Sequence, residues 1–357
     1  MLPYWFLFGV AAWMAVTQLR PATVATRRWP DWWRVMFVFL VLMIGLRHEV
    51  GGDWSNYLPM VKDATHQTLT EAALRSDPAY GLLNWLGARS DFGIYLVNTA
   101  CAALFSWGLV VFCRAQPRPW LALVVAVPYL VTVVAMGYTR QGTAIGLSMV
   151  ALVALSERRL LRFVLFVALA ATFHKSAVIL MPLAVLAGTR QKLWTACWIG
   201  VAFALFYILL LQSSVDALQT SYIEAQMQSD GAAVRVAMNA MPALLFLCFR
   251  RHFVMSQAEC VFWTWMSVGA LGFVALLLVS SSATTAVDRL ALYWIPLQMF
   301  VLSRLPNAVG SKHGGSQALV SLVVAYSGSV LFVFLVFASH AAAWLPYQFY
   351  PWLMFWK

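Results

Sequence analysis

Apolar runs close to the length of a bilayer crossing recur along the whole of this 357-residue chain. A helix needs ~20 predominantly apolar residues to span the hydrocarbon core, and in lipid each backbone N–H and C=O must find a partner within its own segment. The pattern predicts an all-α polytopic membrane protein with no soluble domain. Composition agrees, with 62% of residues hydrophobic, 10% charged and a mean hydropathy of +0.77. An ordinary soluble fold is excluded.

Twelve apolar segments can be drawn, at about 3–19, 33–47, 92–113, 120–137, 140–156, 160–173, 176–188, 193–212, 236–250, 259–280, 286–304 and 317–338, which predicts about 12 transmembrane helices in a single domain over 1–357. The opening run lacks a basic leader and a small-residue cleavage site, and reads as a retained first helix. Two longer connections follow from the drawing, at 48–91 and 213–235. In the first, PAYGLLNWLGARSDFG sets apolar groups at helical spacing with polar interruptions, predicting an interfacial helix on the outer surface.

A net charge of +11 raises the question of nucleic acid, but the basic residues stand in ones to fours between apolar runs. That is a topology signal, and no nucleic-acid partner is expected. Alternate connections hold 15 of the 24 basic residues and only Asp31, Glu157 and Glu259 of the 13 acids. The positive-inside rule makes that side the cytoplasm and puts both termini outside. The five cysteines show no metal-type spacing, so neither a disulfide frame nor a zinc site is expected.

The less basic face nevertheless places Arg47, Arg140, Lys175, Arg235 and Arg289 at or near segment ends. Snorkelling to headgroups explains any one of them, and five at one depth less easily. Four stretches carry them. In LRHEVGGDWSNY, Gly51 and Gly52 permit a tight turn, and Asp53 and Tyr57 share a face if a helix follows. Asp53 either aims a carboxylate at the membrane surface or simply caps that helix. In AMGYTRQGTAIG, Arg140 and Gln141 open a segment whose Gly137, Gly142 and Gly146 allow close helix approach. A guanidinium at a helix start suits an anionic phosphate, with plain decoration of the segment end as the rival explanation. In LAATFHKSAVILMPL, His174 and Lys175 mark a sharp outer turn, and Ser176 can cap the next helix. In SSSATTAVDRLALYWIPLQ, Asp288 and Arg289 either neutralise one another or Arg289 joins Arg47 and Arg140 around one anion. The tail AAAWLPYQFYPW has the composition of an aromatic belt, which predicts an interface anchor.

The order RHEVGGDWSNY, YTRQGTAIGLSM, FHKSAVILMPL, VDRLALYWIPLQ, WLPYQFY resembles the EpsG family of bacterial exopolysaccharide proteins, relatives of the Wzy-type O-antigen and capsule polymerases. Gly51, Asp53 and Tyr57 match loosely, with a longer Asp-to-Tyr gap than the usual form, whereas His174 and Ser176 match well. The resemblance implies a GT-C-like, all-helical glycosyltransferase that needs no cofactor and acts at the outer leaflet on undecaprenyl-diphosphate-linked repeat units. It implies a separate chain-length regulator as a further partner, besides the membrane lipids.

Such chemistry needs cations on the leaving diphosphate and a base near the acceptor hydroxyl. The expectation is that Arg47, Arg140 and Arg289 hold the diphosphate with Lys175 assisting, and that Asp53 and His174 are the catalytic pair. Asp53 is favoured as base, and His174 as a diphosphate or sugar contact. Glu49, Tyr57 and Gln141 are expected to contact glycan, and no metal ligand is assigned. An O-antigen-ligase-like or polyprenyl-phosphate-sugar transferase shares this donor logic. A lipid-linked oligosaccharide flippase would need charge at mid-span, where this chain carries almost none.

Overall fold

The computed structural model describes residues 1–19, 21, 29–74, 77–186, 231–279, 284–310 and 315–355. Eleven of the twelve drawn segments fall wholly or largely on these residues, and their described parts are mainly helical, while 193–212 and most of the connection 213–235 lie outside them. In order come α1 (Leu2–Thr17), α2 (Asp31–Gly45), α3 (Trp54–Asp63), α4 (Leu69–Ala73), α5 (Pro78–Ala88), α6 (Ile94–Arg114), α7 (Pro119–Ala126), α8 (Thr139–Ser156), α9 (Leu160–Phe173) and α10 (Met181–Leu186). After the undescribed stretch follow α11 (Ala232–Phe249), α12 (Gln257–Val279), α13 (Thr284–Ala291), α14 (Ile295–Val309), α15 (Gly315–Phe337) and α16 (Tyr350–Phe355). Among the described residues four helices, Ile94–Arg114, Ala232–His252, Gln257–Val279 and Ser316–Phe337, are long and apolar enough to cross a membrane. The fold is that of an all-α membrane protein.

α8 lies at the centre, with fifteen of its residues buried, packed against α6 and α9. Gly146 makes this possible: a Cβ there would come within 2.5 Å of the Phe105 Cα on α6, so only a glycine lets the two backbones approach. α7 continues as a π-helical stretch, Val127–Ala135, and delivers the chain to the start of α8.

Among the described residues the β-structure is one short antiparallel ladder, in which β1 (Arg47–His48) pairs with β2 (Gln348–Phe349). The first motif of the chain is thereby joined to the last. Tyr350 donates its N–H to Leu46 O at 2.8 Å, and Gly51 donates to Ala343 O at 2.8 Å. The Trp344 indole donates to Thr132 O at 2.7 Å, and Tyr347 Oη donates to Met43 O at 2.7 Å. The aromatic tail was expected to anchor at the interface; its backbone and its Trp344 and Tyr347 side chains are bonded into the bundle instead. Composition could not tell these apart, because Trp and Tyr suit any place that is apolar at one end and polar at the other.

The amphipathic stretch expected on the outer surface forms α5, and its Tyr80, Gly81, Asn84 and Gly87 are buried against the rest of the protein. Arg89 fastens its end, donating to Ala64 O at 3.1 Å and Gln67 O at 2.9 Å while stacking 4.0 Å from the Trp85 ring centroid.

Candidate functional site

Arg47 is 1% exposed, and the turn after β1 wraps around it. Its Nε donates to Val50 O at 3.0 Å, its Nη1 to Ile44 O, and its Nη2 to Thr139 Oγ1 at 2.7 Å. The guanidinium therefore ties α2, the turn and α8 together, and its two Nη nitrogens and Nε are all engaged by protein. Gly51 has φ +109, and a Cβ there would collide with the Met136 carbonyl, so this turn requires glycine to seat against the start of α8. Glu49 also has positive φ, at 51, and its exposed side chain lies 3.8 Å from His48.

Asp53 sits at the N-cap position of α3, yet its side chain makes no cap hydrogen bond. The capping alternative is thus not realised. Its carboxylate instead accepts weakly from Asn56 Nδ2 at 3.4 Å and from Tyr57 Oη at 3.5 Å, the contact that the spacing of four predicted. Tyr57 is 2% exposed, and burial pushes its hydroxyl up to about 12. Asp53 raises it further, whereas Arg140 and Arg289 pull it down. The Tyr57 hydroxyl therefore marks a point within the electrostatic reach of one carboxylate and two guanidinium groups.

Arg140, in the first turn of α8, donates through Nη1 to Asp77 Oδ2 at 2.7 Å. Its guanidinium carbon lies 5.9 Å from the Tyr57 ring centroid and 5.8 Å from that of Tyr80. Asp77 immediately precedes α5, and burial raises its carboxyl while Arg140 and the backbone N–H of Lys175 pull it back. Lys175 is itself buried, which lowers its ammonium against the opposing field of Asp77. A short bridge from a half-buried guanidinium favours the ionised carboxylate at neutral pH.

Arg289, on α13, stacks 3.9 Å over the Tyr138 ring. Gln141, expected to meet glycan, instead donates its buried amide to Arg289 O at 2.6 Å and so fixes α13 against α8. Its Oε1 accepts from Arg289 Nη1 at 3.4 Å. Asp288 does not neutralise its neighbour. It pairs bidentately with Arg235 of α11, at 2.6 and 2.7 Å, because successive residues on a helix point in different directions. Among the described residues no carboxylate lies within ion-pair distance of Arg289.

His174 follows α9 and hydrogen-bonds through Nδ1 to Ser176 Oγ, which donates to Tyr293 Oη at 3.2 Å. Ser176 makes no cap bond, since its hydroxyl is committed to this relay. With its proton given to Tyr293, Ser176 accepts from Nδ1–H, and the remaining ring nitrogen, Nε2, is left an acceptor. Burial, then Arg140 and Arg289, push the imidazole down to about 3, so it is neutral at physiological pH.

The structure thus gathers Asp53 and Tyr57, Arg140, His174 and Lys175, and Arg289 from four separated stretches, and sets Arg47 beneath them as a fastener. It adds residues that sequence reasoning missed, Asp77, Tyr80, Tyr138 and Tyr293, and it pairs Arg235 with Asp288, two residues that the sequence had singled out separately. Asp77 carried one signal, an acid directly before the helix-starting Pro78. Its partner lies 63 positions further along the chain. Among the described residues no group of three or more His, Cys, Asp or Glu side chains could hold a metal ion.

Fold and site together define an all-α membrane protein with a cluster of buried and half-buried cations and tyrosines at one end of its helices. The chain belongs to the EpsG family, whose family model matches residues 32–349. Membership at the family level implies a polysaccharide polymerase of the glycosyltransferase type. No curated protein and no solved structure matches the chain.

Proposed function

We propose that this protein polymerises a polysaccharide at the outer leaflet of the bacterial inner membrane. It transfers a growing glycan from undecaprenyl diphosphate to a hydroxyl of a lipid-linked repeat unit. About twelve crossings in a GT-C-like arrangement, with both termini periplasmic, complete the reading. The single observation that carries it is geometric: the Arg140 guanidinium carbon lies 5.9 Å from the Tyr57 ring centroid, the Asp53 carboxylate lies 3.5 Å from Tyr57 Oη, and Arg289 stacks on Tyr138 and bonds Gln141, the neighbour of Arg140.

In this mechanism Arg140 and Arg289 hold the donor diphosphate, with Lys175 adding charge, and Arg47 holds the turn that presents Asp53. The Asp53 carboxylate takes the proton from the acceptor hydroxyl as that oxygen bonds to the anomeric carbon. The bond from that carbon to the phosphate oxygen breaks, and undecaprenyl diphosphate leaves with the electron pair. Guanidinium groups stabilise the charge that grows on the leaving oxygens, since they pair phosphate bidentately. His174, neutral and with Nε2 as an acceptor, receives a hydrogen bond from a sugar hydroxyl, so of its two expected roles the sugar contact fits better than the diphosphate contact. Tyr57 and Glu49 complete the glycan side, while Gln141 acts through Arg289.

The test uses purified protein in liposomes supplied with synthetic undecaprenyl-diphosphate repeat units on the outside alone, with product length read on gels. Arg140→Ala, Asp53→Asn and His174→Ala should shorten or abolish polymer; normal long polymer from all three would end the proposal. Headgroup crossing without glycan growth would instead identify a flippase.

A further inference from the structure

The Asp77 carboxylate occupies the place where an anionic ligand is wanted. Asp77 is 8% exposed, lies 2.7 Å from Arg140 Nη1, and accepts the backbone N–H of Lys175. These are two of the residues that the donor assignment gives to the diphosphate. Around them hydrogen-bonding capacity is left over. Among the described residues, Arg140 Nε and the Tyr80 hydroxyl are both buried without a hydrogen-bond partner, and Tyr80 is 2% exposed. One carboxylate engages one edge of the guanidinium, whereas a diphosphate brings enough acceptor oxygens to take Nε and a phenol as well.

Asp77 also has somewhere else to go. It is the N-cap residue of α5, but its side chain makes no cap bond there. Aspartate is among the preferred N-caps, and the first-turn N–H groups of a helix have no partner within the helix. The carboxylate thus has two local seats, Arg140 and the start of α5, and in the structure it takes the first.

We propose that Asp77 is the resting counter-ion of the donor site, displaced from Arg140 by the phosphate oxygens of a polyprenyl diphosphate and received by the N-terminus of α5. The proposal rests on the donor assignment above. A half-buried guanidinium facing no anion is unfavourable, so an internal carboxylate keeps the site intact between substrates. The same carboxylate then competes with the ligand, which sets the donor affinity below what the bare cations would give.

The experiment measures the Kd of inorganic pyrophosphate for the full-length protein in nanodiscs, comparing wild type, Asp77→Asn, Arg140→Gln and the double variant. Asp77→Asn should bind about tenfold tighter or more, Arg140→Gln should bind more weakly, and the gain should vanish when both changes are present. Asp77→Ser repeats the measurement with an uncharged N-cap acceptor in place, which secures the start of α5 should the asparagine variant fold poorly. Equal or weaker binding by the folded Asp77 variants overturns the counter-ion and makes Asp77 a residue that merely positions Arg140. Unchanged binding by Arg140→Gln overturns the donor assignment itself, a separate result.

Discussion

Two sets of arginines stand at opposite ends of α6, a helix of 21 residues and so about 30 Å long. At one end Arg118 donates to Asn307 Oδ1, Gln18 O and Ser316 Oγ at 2.9, 3.0 and 2.9 Å, fastening α1, α7, α14 and α15. Beside it Arg304 donates to Gln116 Oε1 at 3.0 Å and lies 3.7 Å from Glu259. At the other end Arg289 stacks on Tyr138 and makes one long side-chain hydrogen bond, and Arg140 faces one carboxylate with its Nε unpartnered. The residue type is the same and the physics differs. A guanidinium with all its nitrogens engaged by carbonyl and hydroxyl oxygens of the protein is a clamp, while one with donors left over can take further acceptors. Arg47 belongs with the clamps although it lies at the same end as Arg140 and Arg289.

The comparison breaks if the clamps prove dispensable. Arg118→Met removes three hydrogen bonds from a charged group and leaves their acceptors in place, for an expected cost of about 4 kcal/mol. Thermal unfolding in detergent checks it, and a stability equal to wild type would remove the distinction. Arg289→Gln should do the opposite. Its unfolding transition should stay near that of wild type while the polymerisation rate falls about 100-fold, equivalent to about 2.7 kcal/mol of transition-state stabilisation. Gly51→Ala tests the scaffold that seats Asp53: strain at φ +109 and the collision with Met136 should cost about 2 kcal/mol, read as a lower unfolding temperature.

The smallest effect concerns pH. His174 has a folded-state value near 3, well below its ordinary 6.5. The unfolded chain therefore binds the proton first as pH falls, and stability that is complete above about 6.5 is lost progressively toward 3. At pH 5.5 the loss from this one group is about 1.4 kcal/mol. His174→Asn should flatten that part of the stability profile between pH 7.5 and 5.5, and an unchanged slope would show that the imidazole titrates normally.

Local features of the site were legible wherever spacing decided them. Asp53 and Tyr57 meet because residues four apart share a helix face, and Gly146 allows close approach because it lacks a side chain. What could not be read was pairing across distance. Nothing in VDRL says that Asp288 turns to Arg235, 53 positions away, instead of to the adjacent Arg289. The amphipathic pattern of α5 is the same whether it covers lipid or protein, and it kept Asp77 from view.

Hydrophobic run length alone determined that this chain folds as helices in a membrane, since lipid offers no water to satisfy an open backbone. Its charged motifs likewise marked which stretches bring the clustered polar side chains together. Only the tertiary structure decided which guanidinium groups became clamps and which kept donors to offer, because a hydrogen bond is settled by distances of a few tenths of an ångström between groups far apart in sequence. It also decided that the tail closes onto the first motif, a contact made by backbone groups that every residue carries and no composition records.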